Sequence, residues 1–278
     1  MKNASIKARA VKYSVLSIFF LYAFSIVYPI LWIAVTGFKS NREFFRSTWR
    51  LPTEWIYQNY IDAWNAGVGT YFFNSLLVTA ASVFFTVILS AFLGFVLTRY
   101  TFKFKKLVFV LVLGGMMLSP EVSLIALFRL LQDIGLYNTY WALIITYTAF
   151  RIPFTTFLMR SYFLGLPREV EEAAFIDGCT SFQIFTKIIL PMSKPIIATA
   201  ALLAAMVFWN EFMFGLVFIE SSALKTIPVG LMNLQGALNA KWTTMLAGLA
   251  MSAFPMILLF LLCQKQFVRG LTSGSVKG

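Results

Sequence analysis

Residues 13–38 read YSVLSIFFLYAFSIVYPILWIAVTGF, and no charged side chain interrupts them. A helix rises about 1.5 Å per residue, so about 20 mostly apolar residues carry it across the hydrocarbon core of a bilayer. This stretch is therefore predicted to span. A cleaved secretory signal is the competing reading, but its apolar region is usually about 7–15 residues and leads to a small-residue cleavage site. The run here is longer and ends in Thr36-Gly37-Phe38-Lys39, which predicts an uncleaved span. Working outward, five further apolar runs follow at 71–98, 104–131, 139–163, 195–219 and 242–264. The second of these five is interrupted by Ser119-Pro120-Glu121, the third holds Arg151 and Pro153, and the fourth holds Glu211. The expected fold is an all-α membrane protein of six transmembrane helices.

Composition agrees. Hydrophobic residues make up 59% of the 278 and charged residues 12%, against roughly 45–50% and 25% in globular chains. The 30 Phe and 7 Trp would overfill a water-soluble core of this size. Histidine is absent, which excludes His-dependent acid–base catalysis, Ser-His-Asp triads and His metal sites. Cys179 and Cys263 cannot build a four-thiolate site, and their spacing proposes no disulfide. No G-x-x-x-x-G-K-[ST] loop occurs, so the chain cannot bind ATP through that device, and energy for any uphill movement is expected to come from elsewhere.

Charge sets direction. With six spans both termini share one side, and that side receives Lys2, Lys7, Arg9 and Lys12, then Arg99, Lys103, Lys105 and Lys106. It also receives Arg160, Arg168, Lys187 and Lys194, and finally Lys265, Arg269 and Lys277. The opposite side has Lys39, Arg42, Arg46, Arg50, Lys225 and Lys241. The Lys/Arg excess assigns both termini to the cytoplasm. The net charge of +12 is thus a topology signal rather than a nucleic-acid footprint. The outer loop, 39–70, carries Trp49, Pro52, Trp55, Tyr57, Tyr60 and Trp64, which suit a short structured element at headgroup level. Whether it only anchors helices or also meets a partner is open from sequence. There is no internal repeat or low-complexity tract.

The loop at 166–191 reads LPREVEEAAFIDGCTSFQIFTKIILP. Locally it is two short helices with a hinge. Pro167 suits a first helical position, and Glu169, Glu171 and Glu172 complement a helix N-terminus. Gly178 can take the left-handed conformation that ends the helix. Thr180 with Gln183 forms a capping box for the next helix, and Pro191 is expected to stop it before a span opened by Pro195. On pattern alone the segment also fits a solvated amphipathic loop lying on lipid headgroups.

Glu172-Ala173-Ala174, Asp177-Gly178, Ile188, Leu190-Pro191 and Pro195 resemble the EAA motif of binding-protein-dependent ABC importer permeases. Phe185 falls where that pattern has an aromatic, and Cys179 stands where Ala is usual. Leu51-Pro52, Asn59-Tyr60, Trp64 and Tyr71-Phe72-Phe73-Asn74-Ser75-Leu76 resemble the first-loop pattern of carbohydrate importers. Trp209-Asn210-Glu211-Phe212 resembles their fifth-helix signature, and residues 270–278, GLTSGSVKG, the tail of MalG-type subunits of maltose-type importers.

The resemblance implies the ABC importer permease fold, with a cytoplasmic N-terminal segment at 1–12, a permease domain at 13–268 and a cytoplasmic tail at 269–278. It implies a non-catalytic subunit of the bacterial or archaeal cell membrane, paired with a second related permease. Two ATPase subunits would bind the ATP and Mg, this chain holding no cofactor, and an extracytoplasmic solute-binding protein would deliver a sugar. Glu172, Ala173, Ala174, Asp177 and Gly178 would dock into an ATPase, and the C-terminal tail would reach between the ATPases. In maltose-type importers the specific sugar contacts come mainly from the partner permease.

An ionised side chain at the bilayer centre costs about 2.5–3.5 kcal/mol on insertion scales, so such groups face protein or water. Arg151, Asn210 and Glu211 are accordingly candidates for the translocation pathway or its gate, with an interhelical or intersubunit salt bridge as the alternative. Pro120, Pro153 and Pro255 are expected to interrupt spans, and Gly94, Gly114, Gly115 and Gly248 to permit close helix packing. Two other classes remain compatible with the residues, an ion-coupled secondary transporter using Glu121, Arg151 and Glu211, and a non-transporting membrane scaffold.

Overall fold

The computed structural model describes the backbone of residues 2–237 and 241–272, and the side chains of 12–232 and 241–264. Among the described residues every regular element is helical. In chain order these are α1 (Lys2–Thr36), α2 (Asn41–Arg46), α3 (Gln58–Ala63), α4 (Gly69–Arg99), α5 (Lys105–Gly115), α6 (Leu124–Asp133) and α7 (Tyr140–Leu164). They continue as α8 (Glu169–Ile176), α9 (Ser181–Ile184), α10 (Leu190–Met192), α11 (Lys194–Trp209), α12 (Met213–Phe218), α13 (Ile227–Ala237) and α14 (Trp242–Thr272). Single π-helical turns join α3 to α4 and α9 to α10.

Four helical stretches are long and apolar enough to cross a membrane, Lys12–Thr36, Gln58–Arg99, Tyr140–Leu164 and Trp242–Gln264. Two bent pairs raise this to six if each is one span: 105–115 with 120–133, bent by 92°, and 181–192 with 194–209, bent by 77°. The third expected span is therefore no straight rod. Pro120 disfavours helical backbone at the residue before it, and Ser119 is extended (φ −73°, ψ 125°). The fifth expected span also differs. It ends as a helix at Trp209 and restarts at Met213. Pro153 and Pro255, by contrast, lie inside unbroken helices.

The chain divides into two compact units, 1–69 with 231–254, and 70–230 with 255–278. In the first unit the outer loop is built around the end of α1. Lys39 is 1% exposed, and its Nζ donates to the carbonyl oxygens of Ser47 (3.1 Å) and Thr48 (2.9 Å). Burial lowers the pKa of that ammonium, with the Glu43 carboxylate opposing the shift. Tyr60 Oη donates to Ala34 O, and Asn59 Nδ2 to the carbonyls of Gly37 and Lys39. Phe38 lies within 4.5–5.3 Å of the Trp55, Tyr57 and Tyr60 rings. The outer loop is thus the structured element that its aromatics suggested.

In the second unit α7 packs on α5 and α11. Lipid is as apolar as a leucine side chain, so helices in a bilayer associate by close packing and hydrogen bonding more than by hydrophobic expulsion. A Cβ on Gly94 would lie 3.2 Å from Arg160 N and Met159 Cβ, and one on Gly115 would lie 2.9 Å from Pro153 Cγ. Gly114 faces open space instead. One core cluster gathers Val78, Leu131, Leu143, Tyr147, Phe208 and Phe218. A second joins Phe95, Met159 and Phe163 to Ala174, Ile184 and Ile189, fastening the 166–191 loop to the long helices. Asn74 acts as a clamp. Its Nδ2 donates to the carbonyls of Ala223 (2.8 Å) and Lys225 (2.9 Å), and its Oδ1 accepts from Tyr140 Oη (2.7 Å).

Candidate functional site

The acidic loop forms locally, as its sequence predicts. Glu169, Glu171 and Glu172 occupy the first turn of α8, which begins two residues after Pro167 rather than at it. Gly178 sits at φ +79°, the left-handed conformation that a side chain resists. The Thr180/Gln183 capping box is complete in both directions, Thr180 N donating to Gln183 Oε1 at 2.8 Å and Gln183 N to Thr180 Oγ1 at 3.3 Å. Pro191 does not stop the chain. It lies in the first turn of α10, and the turn falls at Ser193 before Lys194 and Pro195 open α11.

Helical periodicity splits the motif between two faces. Ala174 (6% exposed) and Glu171 point inward, while Glu172, Ala173, Asp177 and Gly178 are exposed. Glu171 Oε1 makes an ion pair with Arg99 Nη2 at 2.5 Å, the side chains being 11% and 8% exposed. Arg99 Nη2 also donates to the carbonyl oxygen of Leu166 at 3.3 Å. The outer face adds a large apolar surface, with Phe175 57% exposed, Ile176 87% and Phe182 67%. The loop is therefore a helix strapped to the C-terminal end of α4, presenting a mixed acidic and apolar edge. Sequence reading took Arg99 only as a topology charge. No local pattern pairs it with Glu171.

Arg151 and Glu211, expected together, do line one cavity of about 350 Å³, with Glu121, Tyr147, Phe150 and Phe208. They do not pair with each other. Among the described residues Arg99–Glu171 is the one ion pair within 4.0 Å. Glu211 instead caps α12: Oε1 accepts from Phe214 N (2.8 Å), and Oε2 accepts from Tyr147 Oη (2.6 Å) and Gly215 N (3.2 Å). A carboxylate at a helix N-terminus meets orphan N–H groups and the positive end of the helix dipole. The cap sits at the break that follows Trp209 in the fifth expected span. Asn210 donates its Nδ2 to Met206 O at 2.7 Å and is exposed, and it is not among the residues lining the cavity. The Arg151 guanidinium lies 4.4 Å from the centre of the Phe154 ring, and its buried Nε has no hydrogen-bond partner. Within the C-terminal tail residues 273–278 lie outside the described residues, as do the side chains from 265 onward.

Residues 86–272 match the family described as the binding-protein-dependent transport system inner membrane component. This chain belongs to that family. It is 52% identical to a probable ABC transporter permease of Bacillus subtilis, YurM, over 93% of this chain and 86% of that one. It is 36% identical to AraQ of Halalkalibacterium halodurans, the permease of an arabinooligosaccharide transport system, over 94% of both chains. In fold it is similar to a chain in the crystal structure of a bacterial ABC transporter involved in the import of the polysaccharide alginate. That match has a TM-score of 0.81 at 24% identity and covers 93% of this chain and 97% of that one. The relatives are ABC permease subunits, including those of oligosaccharide systems, and neither the secondary-transporter nor the scaffold reading finds support among them.

Proposed function

We propose that this chain is the permease subunit of a carbohydrate ABC importer, forming half of a translocation pathway with a second related permease. In this reading 1–12 and 269–278 are cytoplasmic and flank a six-span permease domain at 13–268. Two ATPase subunits carry the ATP and Mg, and a solute-binding protein delivers the sugar from outside. The sugar assignment is supported by relatives named for oligosaccharides.

The observation that carries the coupling role is the two-faced α8. Its inner face is anchored by Ala174 and the Arg99–Glu171 pair, while Glu172, Ala173, Asp177 and Gly178 form the free edge. The anchored face makes the helix a rigid lever, and the free edge with Phe175 and Ile176 docks into the ATPase. Closure of the ATPases is then transmitted through packed helices to the transmembrane bundle. Work is done because the docked edge is gripped differently in the two states. Arg151, Asn210 and Glu211 belong to the pathway region, with Glu211 shaping it by setting the break between α11 and α12.

The test is reconstitution of the whole complex with its binding protein in proteoliposomes. Glu172→Lys is expected to leave assembly intact while abolishing sugar uptake and the stimulation of ATP hydrolysis by loaded binding protein. Normal uptake by that variant would refute the coupling assignment.

A further inference from the structure

The cavity of about 350 Å³ is at the lower end of the volumes used by small-molecule sites, about 300–1,000 Å³. Its chemistry is distinctive. Arg151 lies near mid-length of α7, and its cation is compensated by no carboxylate within 4.0 Å among the described residues. Glu121 enters the cavity from the break before α6, bonded to Ser119. The same lining holds two stacked aromatic pairs, Tyr147 with Phe208 at 5.3 Å and Phe150 with Phe214 at 5.6 Å. The guanidinium lies over the Phe154 ring, and an intramembrane cation without a carboxylate is costly unless its remaining donors meet water or a ligand. A planar guanidinium offers a fork of donors that suits adjacent hydroxyls, and a carboxylate accepts from hydroxyls on the other side. Aromatic faces cover the C–H faces of a pyranose ring.

We propose that this chain carries a sugar-contacting subsite of its own, in which Arg151 and Glu121 bind saccharide hydroxyls against the half-buried ring of Phe150. This rests on the carbohydrate-importer reading. It departs from what the maltose-type resemblance implies, where sugar contacts fall mainly to the partner permease. It also separates the residues expected at the pathway. Glu211 is a positioning residue, since both its oxygens are taken up by Tyr147 and the start of α12. Asn210 takes no part in the cavity.

The experiment uses the complete complex with its binding protein in proteoliposomes, with melibiose, raffinose, trehalose and arabinotriose as labelled probes. The readouts are sugar moved per ATP hydrolysed and the relative rates among the transported probes. The expected result is a fall of about tenfold in sugar moved per ATP for Arg151→Gln, and a changed order or spread of probe rates for Glu121→Gln. Arg151→Lys distinguishes a ligand from a bridge to the second permease, because lysine keeps the charge and loses the fork. Loss of sugar per ATP in Arg151→Lys supports the subsite. If Arg151→Lys behaves as the unmodified complex while Arg151→Gln loses thermal stability, Arg151 is a bridge and the proposal fails. Unchanged probe preference and coupling ratio in both Arg151→Gln and Glu121→Gln would also overturn it. If the unmodified complex moves none of the probes, these saccharides are not its cargo and the subsite proposal falls, while membership of the permease family stands on the sequence match.

Discussion

Breaking the strap between α4 and α8 tests the lever argument most directly. In Glu171→Gln the side chain keeps its size and loses its charge, leaving Arg99 buried with only the Leu166 carbonyl at 3.3 Å. In Arg99→Gln the reverse happens, and Glu171 Oε1, which accepts no hydrogen bond, is left bare. Removing one partner of a buried ion pair costs about 3–5 kcal/mol. The side chains retain 8% and 11% exposure, so the low end, about 3 kcal/mol, is the appropriate figure. At about 1.4 kcal/mol per factor of ten, α8 would detach roughly a hundredfold more often. Amide hydrogen exchange of Glu169–Ile176 in the assembled complex reads that opening. Each single variant is expected to speed exchange by roughly two decades. The double variant, with both charges gone, is expected to be no worse than either single. Sugar uptake should fall in step, because a detached helix cannot transmit ATPase closure. If the two single effects simply add in the double variant, the residues act independently and the strap does not exist.

Other expectations follow from the same geometry. Ala173→Leu should abolish uptake with no loss of thermal stability, whereas Ala174→Leu overpacks the core and should lower the thermal midpoint of the complex as well, by the equivalent of about 1–3 kcal/mol. Gly178→Ala should weaken coupling by about 1–2 kcal/mol through backbone strain alone, since a Cβ there meets nothing within 4 Å. Gly178→Asn, which tolerates positive φ, should retain more uptake than Gly178→Ala. Gly230→Ala drives a Cβ to 2.1 Å from the Tyr71 ring and should prevent recovery of folded complex, with Tyr71→Ala restoring yield. Asn74→Ala should lower the thermal midpoint, because it unpairs the Ala223 and Lys225 carbonyls and the Tyr140 hydroxyl together.

The sequence carried most where the physics is local. The acidic first turn of α8, the left-handed Gly178 and the Thr180/Gln183 box each depend on residues within a few positions of one another, and each forms as read. The apolar runs likewise announced the long helices, since length and the absence of charge are properties of a segment alone. Bends were less legible. Pro120 marks a break but says nothing of a 92° turn, which depends on what α5 and α6 pack against. Pro153 and Pro255 carry the same local signal and leave their helices continuous. Proline inside a bilayer helix is tolerated wherever neighbours re-satisfy the freed backbone groups.

The charged residues show why side-chain roles needed coordinates. Glu211 reads as an intramembrane charge in search of a pathway or a counter-ion. It is neither free nor ion-paired, since Tyr147 from a distant helix and two amides of the next turn take both its oxygens. That arrangement needs the helix to stop after Trp209, because only an interrupted helix exposes amide donors to a carboxylate at its start. Glu211 and the break are thus one feature. Replacing it with Gln leaves one acceptor oxygen where there were two, so its NH2 group opposes the N–H of either Phe214 or Gly215 and should weaken the cap, while Glu211→Leu leaves all three donors bare and should weaken it further. Arg151, facing the same cavity, has no ion-pair partner among the described residues and a buried Nε without a hydrogen bond, its guanidinium lying over the Phe154 ring. A residue whose charge is already satisfied shapes a path, and one whose charge is not satisfied has something left to bind.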